Sequence, residues 1–212
     1  GSFLPYMDKI YLREMRCLRY LSYLSQSRYT DKIDTCPDLA FALSSEGFAP
    51  LFDVAKNDNH VGLTIVNHRF KTTRARQAYI ETIVHAVSYL STRLNGASFH
   101  IFPQVLSPAV DGTLDIGLSH EIVRHCRQSH RIEIDLINAD LDARTLRESY
   151  RRMRFFIATR LHSSIFAASV GVPTIVFGYH GTKAEGIWHD LGFGELFFDI
   201  NSANQAQVEQ AL

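Results

Sequence analysis

The chain has 212 residues, in which 22 Lys plus Arg are balanced by 22 Asp plus Glu, so the formal charge is zero with His neutral. That balance excludes a nucleic-acid binder driven by a net basic footprint, and 46% apolar against 21% charged residues excludes wholesale disorder. The length suits one medium α/β domain, or one domain plus a fragment of another.

Gly1 and Ser2 read as an expression scar and are set aside. Residues 10–12 form a short strand candidate, and 14–24 carry Met15, Leu18, Leu21 and Leu24 at helical spacing. Residues 36–43 read as a turn and a short apolar stretch, and 44–56, with Gly47 and Pro50, as a linker. From Asn59 a regular alternation begins. The predicted strands are 61–66, 98–102, 131–136, 155–158, 174–177 and 196–199. The predicted helices are 74–94, 118–127, 143–153, 162–170, 183–191 and a last one from Ala203. Such alternation implies an α/β fold: a parallel sheet with helices on both faces, whose ligands lie beyond the carboxyl ends of the strands.

No apolar run reaches the roughly 18 residues of a membrane span, and no secretory pattern opens the chain. Cys17, Cys36 and Cys126 have neither CxxC spacing nor an even count, so they read as thiols in a reducing compartment. Ten His residues hint at proton chemistry. His120, His125 and His130 are spaced i, i+5, which makes no shared metal face, and HExxH is absent, so no metal is assigned. The basic run Arg144, Arg147, Arg151, Arg152 and Arg154, interleaved with acids, reads as a solvated helix face.

The polar residues after the predicted strands are the candidates for chemistry. Thr159-Arg160-Leu161-His162-Ser163-Ser164 stand where a strand meets a helix start, where N–H groups face an anion. Arg160 offers a bidentate fork and His162 a proton carrier; the plainer reading is a capped helix start. One strand later, Tyr179-His180-Gly181-Thr182-Lys183 places a point charge beside a loop where the backbone can approach a ligand, without Walker A spacing. Asn67, His68 and Arg69 end the first strand of the regular part, and Gln104 follows the second. Arg13-Glu14, at the end of the earliest strand, reads alone as a surface pair.

The run FFIATRLHSSIFAASVGVPTIVFGYHGTKAEGIWHDLGF resembles the C-terminal motif of polysaccharide pyruvyl transferases: a strand into R-L-H, a small-residue helix, G-V-P, another strand, Tyr, and Lys before a helix. IYLREMRCLRYL and CPDLAFAL resemble that family's strand-Arg-acid and P-D-x-A-F elements, with Cys17 and Leu18 near the place of its Ser. The resemblance implies a Rossmann-like domain, the C-terminal half of a GT-B fold, over residues 51–212, preceded in 1–50 by the tail of an N-terminal Rossmann-like domain and a linker. It implies transfer of pyruvyl from phosphoenolpyruvate to two hydroxyls of a sugar, forming a ketal in exopolysaccharide or cell-envelope glycan synthesis. The implied catalytic set is His162, Arg160, Lys183 and Arg13. Arg69, Asn67, His68, Gln104, Leu161, Ser163, Tyr179 and His180 are the implied substrate contacts. Phosphoenolpyruvate is then a substrate and no further cofactor is expected. The implied partners are a sugar or lipid-linked glycan and no nucleic acid, with a homo-oligomer as one form. The implied setting is cytoplasmic, at the inner membrane face, or the Golgi lumen in a eukaryote. The rivals are a GT-B glycosyltransferase or sugar-nucleotide epimerase, with Glu185 as a ribose acceptor, and a non-catalytic remnant domain.

Overall fold

The computed structural model describes residues 3–51, 59–67, 70–106, 115–179 and 183–212. The sequence expectations that fall on His68, Arg69 and His180 lie outside those residues.

The regular part is a six-stranded, all-parallel sheet. Its strands are β3 (His60–Leu63), β4 (Ser98–Ile101), β5 (Ile134–Leu136), β6 (Phe155–Ala158), β7 (Thr174–Gly178) and β8 (Phe197–Asp199), in the order β5-β4-β3-β6-β7-β8. From β3 the chain steps outward through α2 (Thr73–Arg93) to β4 and through α3 (Asp115–His130) to β5. Helix α4 (Ala143–Tyr150) then returns it to the far side of β3, and α5 (Leu161–Ser169) and α6 (Lys183–Asp190) continue outward before α7 (Gln205–Ala211). The direction of winding thus reverses between β3 and β6, which opens a crevice beyond their carboxyl ends.

Successive strand side chains point to opposite faces, so both faces can be packed. Val61, Leu63, Phe99, Ile101 and Ile157 meet Ile80, Ile83, Leu118, Ile122 and Val208 from α2, α3 and α7. Phe102, Phe156, Ala158 and Val176 meet Tyr150, Ile165, Phe166 and Trp188 from α4, α5 and α6. Gly62 on β3 admits the Phe156 ring: a Cβ there would lie 2.5 Å from Cδ2 of that ring.

Several boundaries differ from the periodicity. The buried run 61–66 leaves the sheet after Leu63, because Thr64 turns to bind Thr159: Thr159 N donates to Thr64 Oγ1 at 3.0 Å and Thr159 Oγ1 to Thr64 O at 2.6 Å. Helix α3 starts at Asp115 rather than 118 and runs to His130. Arg131 then takes a left-handed φ of 57°, so β5 begins only at Ile134.

Residues before 51 form a smaller unit. Strands β1 (Ile10–Leu12) and β2 (Ile33–Thr35) pair in parallel around α1 (Met15–Leu24). β2 escaped the sequence reading because Ile33 is its one buried residue. Glu14 caps α1, accepting from Arg16 N at 2.6 Å and Cys17 N at 3.0 Å. It is 1% exposed, not a surface residue, because it is pressed against Gly186 of α6. Met15 N donates to Asp190 Oδ2 at 2.7 Å and Arg16 grips Glu185 at 2.8 and 2.5 Å, which docks this unit on α6. Its outer side carries exposed Tyr6, Tyr11, Tyr20, Tyr23 and Leu24. Among the described residues, no helix is long and apolar enough to cross a membrane.

Arg147 departs from the solvated face expected of α4. It is buried, donating to Ser45 Oγ at 2.6 Å and Ser169 Oγ at 3.1 Å, and burial lowers its pKa. Ser45 in turn donates to Glu148, so this cluster clasps the end of the small unit to α4 and α5.

Candidate active site

A cavity of about 480 Å³ lies at the crevice created by the reversal of winding. Its walls come from the ends of β6 and β7, the starts of α5 and α6, the corner after β4, and Arg13 of the small unit. Arg160, Leu161, His162, Tyr179, Lys183, Gln104 and Arg13 all line it. Gln104, Arg160–His162, and Tyr179 with Lys183 come from three separate stretches, which the six-stranded sheet brings together because each follows a strand's carboxyl end, and Arg13 is added from the end of β1 in the small unit. Asn67 is half-buried and is not part of the lining. Ser163 is fully buried on the inner side of α5, toward Tyr150, and does not reach the cavity.

His162 sits in the first turn of α5, exposed, with its ring tilted toward Phe166 at 6.4 Å between centroids. Lys183 is the first residue of α6 and is exposed. Two helix N-termini therefore open on one cavity, each with its positive dipole end, beside an imidazole and an ammonium. The Arg160 side chain does not cap α5.

Arg160 is instead held from behind. Asp115, fully buried at the start of α3, pairs with its Nη2 and accepts from its Nε at 3.2 Å. The same carboxylate accepts from the backbone N–H groups of Gln104 and Val105 at 3.3 and 3.1 Å. Arg160 Nη1 donates to the Tyr179 hydroxyl at 3.1 Å. Burial, the largest single influence, lowers the guanidinium's pKa; the hydrogen bond and charge of Asp115 together with Tyr179 outweigh it, and the net direction is upward. Gln104 is likewise engaged, its Nε2 donating to the buried Tyr150 hydroxyl at 3.0 Å. Burial pushes that phenol up, so Tyr150 stays a neutral hydrogen-bonding post.

On the opposite wall Arg13 Nη1 donates to Asp38 Oδ2 at 2.9 Å, and Asp38 also accepts from Ala40 N at 3.0 Å. The Arg13-Glu14 pair read from sequence thus divides: Arg13 faces the cavity with Asp38 behind it, and Glu14 turns inward. Asp115 and Asp38 were missed as site residues. The available signals were an acid opening a helix, for Asp115, and the P-D step, for Asp38. Among the described residues, no group of three His, Cys, Asp or Glu could hold a metal ion.

A family model for polysaccharide pyruvyl transferase matches residues 4–181. The chain belongs to the polysaccharide pyruvyl transferase family. As a member of that family it carries the R-L-H residues on the cavity wall and, beyond the matched stretch, Lys183 at the next helix start. No curated protein matches the chain. Two solved structures share its fold, which is GT-B-like. The S. aureus MnaA-UDP co-structure is 18% identical, with a TM-score of 0.62 over 96% of this chain and 50% of that one. A Listeria monocytogenes protein described as a UDP-N-acetylglucosamine 2-epimerase is 15% identical, with a TM-score of 0.63 over 98% of this chain and 50% of that one. The chain therefore spans about half the length of these solved chains.

Proposed function

We propose that this chain carries the donor-binding half of a ketal pyruvyltransferase, acting on phosphoenolpyruvate and a glycan in exopolysaccharide or cell-envelope synthesis. The observation that carries the reading is the convergence of Arg160, His162 and Lys183 at two helix N-termini around one cavity. A small, multiply charged anion suits that arrangement, because cationic forks, an ammonium and free N–H groups all favour negative charge.

In the proposed reaction a sugar hydroxyl attacks C2 of phosphoenolpyruvate, C3 gains a proton to become a methyl group, and phosphate leaves. A second hydroxyl closes the ketal, its oxygen completing the bonds at C2. The two hydroxyl protons are balanced by the one gained at C3 and the one carried off by phosphate. Lys183 and Arg160 hold the donor's carboxylate and phosphate, Arg13 adds a contact from the small unit, and His162 moves the proton. Leu161 and Tyr179 shape the pocket, and Gln104 supports its edge. His68, Arg69 and His180 remain proposed contacts from the sequence. The chemistry calls for no further cofactor.

The rival reading, a nucleotide-sugar enzyme, draws on the UDP-bound neighbour. Glu185, its candidate ribose acceptor, is already gripped by Arg16 through both carboxylate oxygens. The test is titration calorimetry with phosphoenolpyruvate and with UDP, followed by phosphate release from phosphoenolpyruvate in the presence of galactoside or mannosamine-containing acceptors. Binding of phosphoenolpyruvate with phosphate release supports the proposal. Binding of UDP alone supports the rival, and neither ligand binding supports a non-catalytic domain.

A further inference from the structure

We propose that Asp115 is the positioning residue of the cavity: it acts through Arg160, holding the guanidinium fork and the 104–105 corner in one register. The proposal rests on the reading that Arg160 grips the anionic donor. Its physical basis is independent of that reading. The Asp115 carboxylate is fully buried and accepts four donors: Arg160 Nε and Nη2, and the backbone N–H groups of Gln104 and Val105. Three of these donors converge on Oδ2, at 3.1–3.3 Å, and Arg160 Nη2 takes Oδ1, so both oxygens are committed. The buried carboxylate depends on these donors, because without them it would be left charged and unpaired away from water.

The consequence is directional. With Nε and Nη2 committed to Asp115, Arg160 presents the Nη1 side, next to the Tyr179 hydroxyl, toward the cavity. The wall after β4 and the wall after β6 are thereby tied to one atom group, although 45 residues separate Asp115 from Arg160. Arg13 is held in the same manner by Asp38, which is the less exposed partner of that pair, at 10% against 33%. An acid behind an arginine has two opposed effects on an anion: it cancels positive charge, and it aims the fork. The grip on both Nε and Nη2 favours aiming. An amide at this position keeps an acceptor but sets an NH2 group against groups that are themselves donors, so the fork must swing away.

The experiment compares wild type with Asp115→Asn, Asp115→Glu, Arg160→Lys and the Asp115→Asn/Arg160→Lys double variant. The first readout is the Arg160 Nε–H resonance in a ¹⁵N-edited spectrum, assigned by its loss in Arg160→Lys; it needs no substrate. We expect a shifted, exchange-protected signal in wild type that is absent from Asp115→Asn. The second readout is phosphoenolpyruvate affinity and the KM-against-kcat split. Losing charge-assisted contacts predicts an affinity about 10- to 100-fold lower in Asp115→Asn, and a double variant no worse than Arg160→Lys alone. Asp115→Glu, which keeps charge and acceptors but displaces the fork, should show a smaller loss in the same direction, and it decides the matter if Asp115→Asn does not fold. The proposal is overturned if the protected signal survives in Asp115→Asn, if the two losses multiply, or if phosphoenolpyruvate binds more tightly to either Asp115 variant. Failure of wild type to bind phosphoenolpyruvate would refute the donor reading, while the spectrum would still decide whether Asp115 holds Arg160.

Discussion

Gly186→Ala sets two opposing effects against each other. Gly186 lies inside α6, and replacing an interior helical glycine with alanine ordinarily stabilises by about 1 kcal/mol. Here the added methyl would stand 2.7 Å from the Glu14 carboxyl carbon and closer still to Oε2. Glu14 cannot swing aside freely, because it is 1% exposed and held by the amides of Arg16 and Cys17. Overpacking costs about 1–3 kcal/mol, and losing an N-cap about 0.5–2 kcal/mol. The net expectation is a loss of about 1–3 kcal/mol, read from urea denaturation. Arg13, next to Glu14, should shift with it and weaken donor binding. Gly117→Ala is the matched control: that glycine is in α3, exposed, with nothing within 4 Å of the added carbon, so the variant should gain up to about 1 kcal/mol. A Gly186→Ala protein as stable as wild type, with donor affinity intact, would refute the account of how the small unit docks.

Other perturbations have defined outcomes. His162→Ala should lower phosphate release from phosphoenolpyruvate by about 10²- to 10⁴-fold with little change in urea midpoint, since the side chain is exposed; unchanged turnover would remove His162 from the mechanism. Phe156→Ala should cost about 3–5 kcal/mol in denaturant titration, because the fully buried ring fills the space over Gly62 and lies 4.3 Å from the Tyr150 ring. His100 gives a pH dependence whose sign follows from its environment. Burial and then the neighbouring His60 lower its pKa, against a smaller opposing pull from Asp135. The folded state therefore binds fewer protons than the unfolded one, so this contribution to stability is fully present above about pH 6.5 and declines as pH falls below it. Urea midpoints measured from pH 7.5 to 5.5 should fall, and His100→Gln should flatten that part of the decline; an unchanged slope would count against it.

The order of elements was legible because each local signal agreed with the fold. Phe155 to Ala158 is a continuous apolar run that only a strand buried on both faces requires, and β6 has those bounds. The helix pattern ending near Asn95-Gly96 gave α2 almost to the residue. Seven of the residues that line the cavity were also legible: Arg160, Leu161, His162, Tyr179, Lys183 and Gln104, since position after a strand is itself a sequence property, and Arg13 through the family resemblance. Boundaries failed where a long-range contact overrode the local pattern, as at Thr64, which leaves the strand to bond Thr159.

By itself, then, the sequence determined the alternation, the parallel sheet and the family, because periodicity and motif order are one-dimensional. Only the tertiary structure decided which charges face the cavity and which are spent holding others in place. Glu14 and Arg147 read as surface charges and are buried; Asp115, unremarked at the edge of a helix, is the fully buried partner of Arg160. Net charge zero was uninformative about the cavity for the same reason. Pairing depends on distances between residues 25 to 45 positions apart, and those distances exist only once the sheet has brought the strand ends together.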